Sequence, residues 1–238
     1  MRKERDSLGE KDIEDIYYGI HTARALENFN IKNKRVNEEL IKAIALIKIA
    51  AAEANKKAGK LDENIANAIK EAANDLIVGN YIDAFVLPSI QGGAGTSKNM
   101  CINEVIANIA LEKLGHNKGD YHIINPLDHV NHSQSTNDVY PTAVKIASIK
   151  LLRELLDETM ALQQELQNKE KEFSNILKTG RTQFQDAVPL TLGQEFGAYA
   201  EAISRDRWRI YKIEERIRRI KIGGTAVGTG GGASGKYR

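Results

Sequence analysis

Three stretches of this chain carry the residue types that hold and polarise an anion. The first is Asn131-His132-Ser133-Gln134-Ser135-Thr136-Asn137-Asp138, an unbroken polar octet directly ahead of the longest helical pattern. Ser, Thr, Asn and Asp accept hydrogen bonds from the free amides of a helix start, so the octet reads first as an N-capping loop. The same amides and hydroxyls, converging on one point, can also hold a carboxylate, and the two roles are compatible. The second stretch, Gly92 to Asn99 (GGAGTSKN), is a flexible loop that delivers Thr96, Ser97 and Asn99 to another helix start. By itself it reads as a turn, and it is not a nucleotide phosphate loop, because Asn99 rather than Ser or Thr follows Lys98. The third, Gly180 to Phe196 (GRTQFQDAVPLTLGQEF), packs Arg181, Thr182, Gln183, Gln185 and Asp186 ahead of Pro189 and reads as a loop with a proline helix start.

Other reactive side chains point elsewhere. His21, His116, His122, His129 and His132 include no His pair at i and i+4 flanking a Glu, so no zinc site is expected. His129 reads as a hydrogen-bonded loop histidine, with contact to an anion as its alternative. The single cysteine, Cys101, excludes an internal disulfide and a cysteine metal cage, reads as a small buried residue, and fits a reducing compartment, so a cytoplasmic location is expected. Arg205 to Lys221 is rich in basic residues, but Asp206, Glu214 and Glu215 break the run and an isoleucine seam underlies it. A solvated bundle helix explains that pattern better than nucleic acid, for which no groove-reading motif or stacking array is present.

The elements that must position these loops are helical. Of 238 residues 42% are hydrophobic, which suffices for a sizeable core, while only 4 Pro and 6% aromatics among long Ala, Leu, Ile, Glu and Lys stretches favour helices. Net charge is +2, so no global field selects nucleic acid or an anionic membrane. The charged Met1 to Glu10 segment lacks a signal-peptide core, and no apolar run approaches the roughly 20 residues of a membrane span. Leu40, Ala43, Ile44, Ile47, Ala51 and Ala54 recur at helical spacing with Gly59 as a stop, and Ile65, Ile69, Ala72 and Leu76 do so between Asp62 and Gly79. Together they predict a helical hairpin. A third helix is expected from about Ile102 to Leu114, and any strands must be short. Thr142 to Thr179 contains no Gly or Pro and sets Leu152, Leu155, Leu162 and Leu166 on a heptad seam. Another long helix is expected from near Thr191, with Ile210, Ile213, Ile217 and Ile220 in its seam, to Gly223-Gly224. Seams this long predict a bundle that extends between subunits. The division expected is an N-terminal helical domain over 1–130 and a long-helix domain over 131–238.

Taken in order, the three polar stretches resemble the aspartase/fumarase superfamily. Further matches are Glu4-Arg5-Asp6-Ser7-Leu8-Gly9-Glu10, Tyr17-Tyr18-Gly19-Ile20-His21-Thr22, Asn103-Glu104-Val105-Ile106-Ala107-Asn108, Asp128-His129-Val130-Asn131 and Gly223-Gly224-Thr225-Ala226-Val227-Gly228-Thr229-Gly230. The resemblance runs from residue 4 to about residue 230. Tyr18 in Tyr17-Tyr18-Gly19, Thr136 in Gln134-Ser135-Thr136-Asn137-Asp138 and Gln183 in Arg181-Thr182-Gln183 resemble the aspartase branch; fumarases usually have Trp, Ser and His there, although some aspartases also have His at the last.

The resemblance implies a mostly helical, homotetrameric ammonia-lyase that eliminates ammonia from L-aspartate to give fumarate, with no required cofactor, although divalent cations activate some aspartases. Removing a proton next to a carboxylate loads that carboxylate with charge, and preorganised neutral donors stabilise the loaded form. By resemblance Thr96, Ser135 and Thr136 would hold the β-carboxylate, while Asn137, Thr182 and Gln183 would face the leaving ammonium. Two positions depart from the family: Cys101 and Leu127 stand where it usually has Asn, which puts hydrogen bonds behind two of the loops in doubt. Family chains are roughly twice this length. The absent portion carries a flexible Gly-Ser-Ser loop with the serine base, and the Lys and Asn that bind the α-carboxylate. With its glycine-rich ending from Gly231 to Arg238, this chain reads as a truncated N-terminal half, inactive alone. The alternatives are a fumarate hydratase of the same superfamily and, from another class, a structural or nucleic-acid-binding helical protein.

Overall fold

The apolar patterns become helices wherever a cap stands ahead of them. In the computed structural model, which describes residues 1–28, 31 and 34–237, α1 spans Ile20–Asn28, α2 Glu38–Lys57, α3 Glu63–Ile77, α4 Thr96–Lys113, α5 Thr136–Glu172 and α6 Leu192–Ile217. Two antiparallel hairpins accompany them, β1 (Arg2–Asp6) with β2 (Gly9–Ile13) and β3 (Leu177–Thr182) with β4 (Gln185–Thr191). The chain is therefore mostly helical, and its strands are short. Arg238, the last residue of the glycine-rich ending, lies outside the described residues. Among those described, no helix is long and apolar enough to cross a membrane.

The expected α2–α3 hairpin is present, and its starts are chemically explicit. The Asn37 side chain accepts the Glu39 N–H at 2.9 Å, and Asp62 accepts the Asn64 and Ile65 N–H groups at 2.8 and 3.3 Å. Helix α4 starts at Thr96 rather than near Ile102. It is buried on every side from Lys98 to Leu111 and so has no apolar stripe from which its start could be read. Ile102, Val105, Ile106 and Ile109 of α4 share one core with Ile44 of α2 and Ile69 and Leu76 of α3.

The chain forms two compact units, Met1–Ala147 together with the segment from Ile220 onward, and Ser148–Arg219. Residue 130 falls inside the first unit, because Val130, Val139, Ala143 and Ala147 pack into the same core as Ile102 and Ile106. In the second unit Arg153 of α5 pairs with Glu214 of α6 at 2.8 Å, and the Arg207 guanidinium donates to Gln163 at 3.1 Å. Leu155, Leu162 and Ile213, members of the expected seams, remain 51%, 49% and 42% exposed. One copy thus leaves part of each apolar row in solvent, while Leu152, Leu166, Ile210 and Ile217 are half-buried.

The stretch read as a loop with a proline helix start is instead the β3–β4 hairpin, and Pro189 lies within β4 opposite Thr179. A two-stranded sheet consists only of edges, so a strand residue without an N–H is tolerated there. Helix α6 starts at the expected place, where Thr191 and Gln194 form a reciprocal capping box. It ends at Ile217, short of Gly223, because the backbone beyond Arg219 turns away: the Lys221 N–H donates to Thr142 Oγ1 at 3.2 Å and the Gly224 N–H to the Lys221 carbonyl at 3.1 Å.

Candidate active site

Two helix starts adjoin in the first unit. Gly95, at φ +90°, leads into α4, and a Cβ there would fall 2.4 to 2.6 Å from atoms of the Tyr140 ring of α5. Only glycine permits both the left-handed backbone and this approach. Helix α5 begins inside the polar octet, earlier than the Thr142 start of the Gly- and Pro-free run. The Asn137 N–H donates to Ser135 Oγ at 3.2 Å, and the Ser135 N–H donates to Asp138 Oδ1 at 3.0 Å. Asp138 Oδ2 accepts the Thr225 N–H at 2.8 Å, so this buried carboxylate is committed on both oxygens. Pro141 falls in the second turn and returns no N–H to the Asn137 carbonyl.

Capping occupies Ser135 and Asp138 and leaves the side chains of Thr136 and Asn137 out of the cap. Ser135 and Asp138 close the helix start, while Ser135 and Thr136 are half-buried and Asn137 and Thr96 are exposed. A cavity of about 730 Å3 is lined by Asn137, Asp138 and the segment from Ile220 to Gly230. The structure therefore brings Thr96, Ser135, Thr136 and Asn137 to adjoining helix starts. Thr182 and Gln183 belong to the second unit and are exposed at the tip of the β3–β4 hairpin, where Gln183 and Phe184 take φ of 44° and 60°. Arg181 pairs with Asp186 at 3.0 Å across that hairpin, with both side chains largely in solvent.

Behind the α5 start lie residues that the pattern of apolar positions passed over. Lys48 is fully buried and donates to Asn131 Oδ1 at 2.8 Å and Gln134 Oε1 at 2.9 Å. It occupies the i+4 place after Ile44 on the apolar face of α2, a lysine where the pattern asks for an apolar residue, and that misfit is the signal that could have found it. Asn99 of α4 donates to Asn131 Oδ1 at 3.1 Å and to Thr136 Oγ1 at 3.2 Å. Hydrogen bonds behind the octet are thus in place despite Cys101 and Leu127. Cys101 is buried, with the Ala84 carbonyl 4.0 Å from its sulfur and burial pushing its thiol up to about 12, and Leu127 is exposed. His129 Nδ1 accepts the Asn125 N–H at 2.9 Å, which makes it a hydrogen-bonded loop histidine, and burial lowers its pKa.

Burial holds the Lys48 ammonium down to about 7, against the opposing pull of Asp138. The unfolded chain, with lysine at 10.5, then binds one more proton than the folded chain between those values. Folding stability should rise with pH across that window, by at most about 1.4 kcal/mol per pH unit from this group. Thermal melts of the wild type and Lys48→Met across the interval check this: the wild type gains stability relative to the variant, and parallel curves would refute it.

Two buried carboxylates form a second cluster that the sequence did not announce. Glu104 accepts the N–H groups of Gly19, His21 and Thr22 at 3.0, 2.8 and 3.2 Å and the Thr22 hydroxyl at 2.6 Å. Glu4 accepts the Ile20 N–H at 2.8 Å, the Tyr121 hydroxyl at 3.0 Å and the Arg2 guanidinium at 2.7 Å. Their targets are the free amides at the start of α1, so this cluster is a cap supplied from a distance. Burial raises the Glu104 pKa while those hydrogen bonds oppose the rise. Among the described residues, no three His, Cys, Asp or Glu side chains converge as metal ligands.

Comparison with known proteins places this geometry. The chain is 50% identical to aspartate ammonia-lyase of Bacillus subtilis over 237 residues, 99% of this chain and 50% of that protein. It is 45% identical to the Escherichia coli aspartate ammonia-lyase over 234 residues, 97% of this chain and 49% of that one. Among solved structures, a protein described as fumarate lyase:delta crystallin from Brucella melitensis, bound to cobalt, superposes with a TM-score of 0.95 at 48% identity, over 99% of this chain and 52% of that one. Class II fumarase from Schistosoma mansoni superposes with a TM-score of 0.92 at 35% identity, over 99% of this chain and 50% of that one. The chain thus spans about half the length of the relatives it matches. A family described as Lyase matches residues 10–238, and the chain belongs to that lyase family.

Proposed function

We propose that this chain supplies two of the three active-site regions of an aspartate ammonia-lyase, which eliminates ammonia from L-aspartate to give fumarate. The observation that carries the reading is the pair of adjoining helix starts presenting Thr96, Ser135, Thr136 and Asn137. Neutral donors fixed at that junction suit a carboxylate that gains charge as its neighbouring carbon loses a proton. Thr96, Ser135 and Thr136 hold the β-carboxylate. Asn137 faces the leaving ammonium, with Thr182 and Gln183 arriving on the β3–β4 hairpin. The elimination needs no organic cofactor or metal. The exposed rows of Leu155, Leu162 and Ile213 support assembly into a homotetramer, in which three subunits contribute to each site. In that assembly residues 1–130 act as the N-terminal domain and 131–238 as part of the central bundle, and the enzyme works in the cytoplasm on a free dicarboxylate.

Fumarate hydratase is the second reading, supported by the likeness to the Schistosoma mansoni fumarase. Tyr18, Thr136 and Gln183 favour the ammonia-lyase, as does 50% identity to the Bacillus subtilis enzyme against 35% to that fumarase. Mixing this chain with the half of the Bacillus subtilis relative that it does not cover, and following fumarate by ultraviolet absorbance, tests the choice. L-aspartate should be consumed and L-malate left untouched. Fumarate from L-malate alone would make the protein a fumarase.

A further inference from the structure

The buried Lys48, Asn99 and Asn103 form one cluster with the half-buried Asn131 and Gln134, and its hydrogen-bond directions follow from its single cation. An ammonium has protons and no lone pair, so the Lys48 Nζ contacts at 2.8 and 2.9 Å oblige Asn131 and Gln134 to turn their oxygens towards it. Even the neutral amine keeps two protons for these two oxygens. With Asn131 Oδ1 fixed as an acceptor, Asn99 and Asn103 must present their amide N–H groups to it, at 3.1 and 3.3 Å. Among the described residues Asn99 Oδ1 and Asn103 Oδ1 then accept nothing, although both are buried. An orientation that leaves two amide oxygens without partners is imposed by a stronger neighbour, since such groups normally find one.

The last link reaches the octet. The remaining Asn99 N–H proton goes to Thr136 Oγ1 at 3.2 Å, so the threonine oxygen is an acceptor on its inner side. Its own proton is left to point out of the cluster. We propose that Lys48, acting through Asn131 and Asn99, fixes the Thr136 hydroxyl as an outward hydrogen-bond donor and so positions it for the substrate carboxylate. This rests on the proposed role of Thr136. All three are positioning residues and touch no reacting atom.

Asn99→Asp keeps the shape of the side chain but offers only acceptor oxygens, which would draw the Thr136 proton inward. In the mixed enzyme it should lower kcat by roughly tenfold or more with little change in KM, as expected when a donor used in the transition state is turned away. Asn131→Asp keeps the accepting oxygen and should retain most of kcat. In a Thr136→Val background, Asn99→Asp should cost nothing further; an undiminished second loss would overturn the relay. A readout independent of activity is the set of side-chain amide resonances of the isotopically labelled chain alone. Lys48→Met should shift both the Asn131 and Asn99 signals, and Thr136→Val should shift those of Asn99. Unmoved Asn99 signals in a folded Lys48→Met chain would refute the coupling, and if that variant does not fold, Thr136→Val carries the spectroscopic test. Absence of fumarate from the wild-type mixture would count against the proposed function, while the resonances still decide the relay.

Discussion

Assayed by itself, the chain is expected to release no measurable fumarate from L-aspartate. The proton to be removed needs an acceptor, and the groups gathered at the α4 and α5 starts are donors. Thr96, Ser135, Thr136 and Asn137 offer hydroxyls and amides, and the one carboxylate beside them, Asp138, is buried with an N–H on each oxygen. His129 has its Nδ1 occupied by the Asn125 N–H. By resemblance the serine base and the Lys and Asn that clamp the α-carboxylate lie outside these residues, in the half of the relatives that this chain does not span. General-base catalysis is worth about 10²–10⁴-fold, and the positioning lost with the clamp adds further orders of magnitude. Activity appearing only when the missing half of a relative is added would agree; robust fumarate release by the chain alone would sink the proposal.

In the mixed enzyme, Thr136→Ala should lower kcat by about 10²–10³-fold, the usual cost of removing one preorganised donor from a developing oxyanion, and Thr182→Ala should lower it through lost positioning of the leaving ammonium. Stability should move little. Thr182 is exposed at a hairpin tip, and Thr136 is half-buried in a first turn whose cap is supplied by Ser135 and Asp138. Ser135→Ala is the informative contrast, because it also removes the helix cap and should cost about 1 kcal/mol of stability besides its effect on turnover. Steady-state kinetics beside thermal melts separate the two roles. Normal turnover with a collapsed melting temperature would make the threonines structural.

The parts of the fold that were legible in the sequence are those where one face is apolar and a cap precedes it. Asn37 and Asp62 announce α2 and α3, and Thr191 announces α6. Helix α4 hid its start because a helix buried all round shows no periodic contrast, and its polar residues Asn99, Asn103, Glu104 and Asn108 look like a solvent face until their partners are known. The β3–β4 hairpin was illegible for a different reason: its two-residue turn is Gln183-Phe184, without the Gly or Asn that usually marks a left-handed pair, and Pro189 argued against a strand. For the candidate site, residue type marked Ser135, Thr136 and Asn137, while the fold alone paired them with α4. Lys48 was visible in principle as a charge on an apolar face.

The distant cap on α1 bears on how the chain is made. Glu4 leaves the ribosome early, yet the Tyr121 hydroxyl that helps to hold it lies 117 residues further along, and Glu104 is nearly as far behind. At about 5–20 residues per second, roughly 6–23 seconds separate the synthesis of Glu4 from that of Tyr121. Arg2 and the Ile20 N–H can reach Glu4 early, but Tyr121 cannot, so the Glu4 carboxylate completes its set of hydrogen bonds only after that interval. The part of the protein translated first is thus among the last to be locked in place.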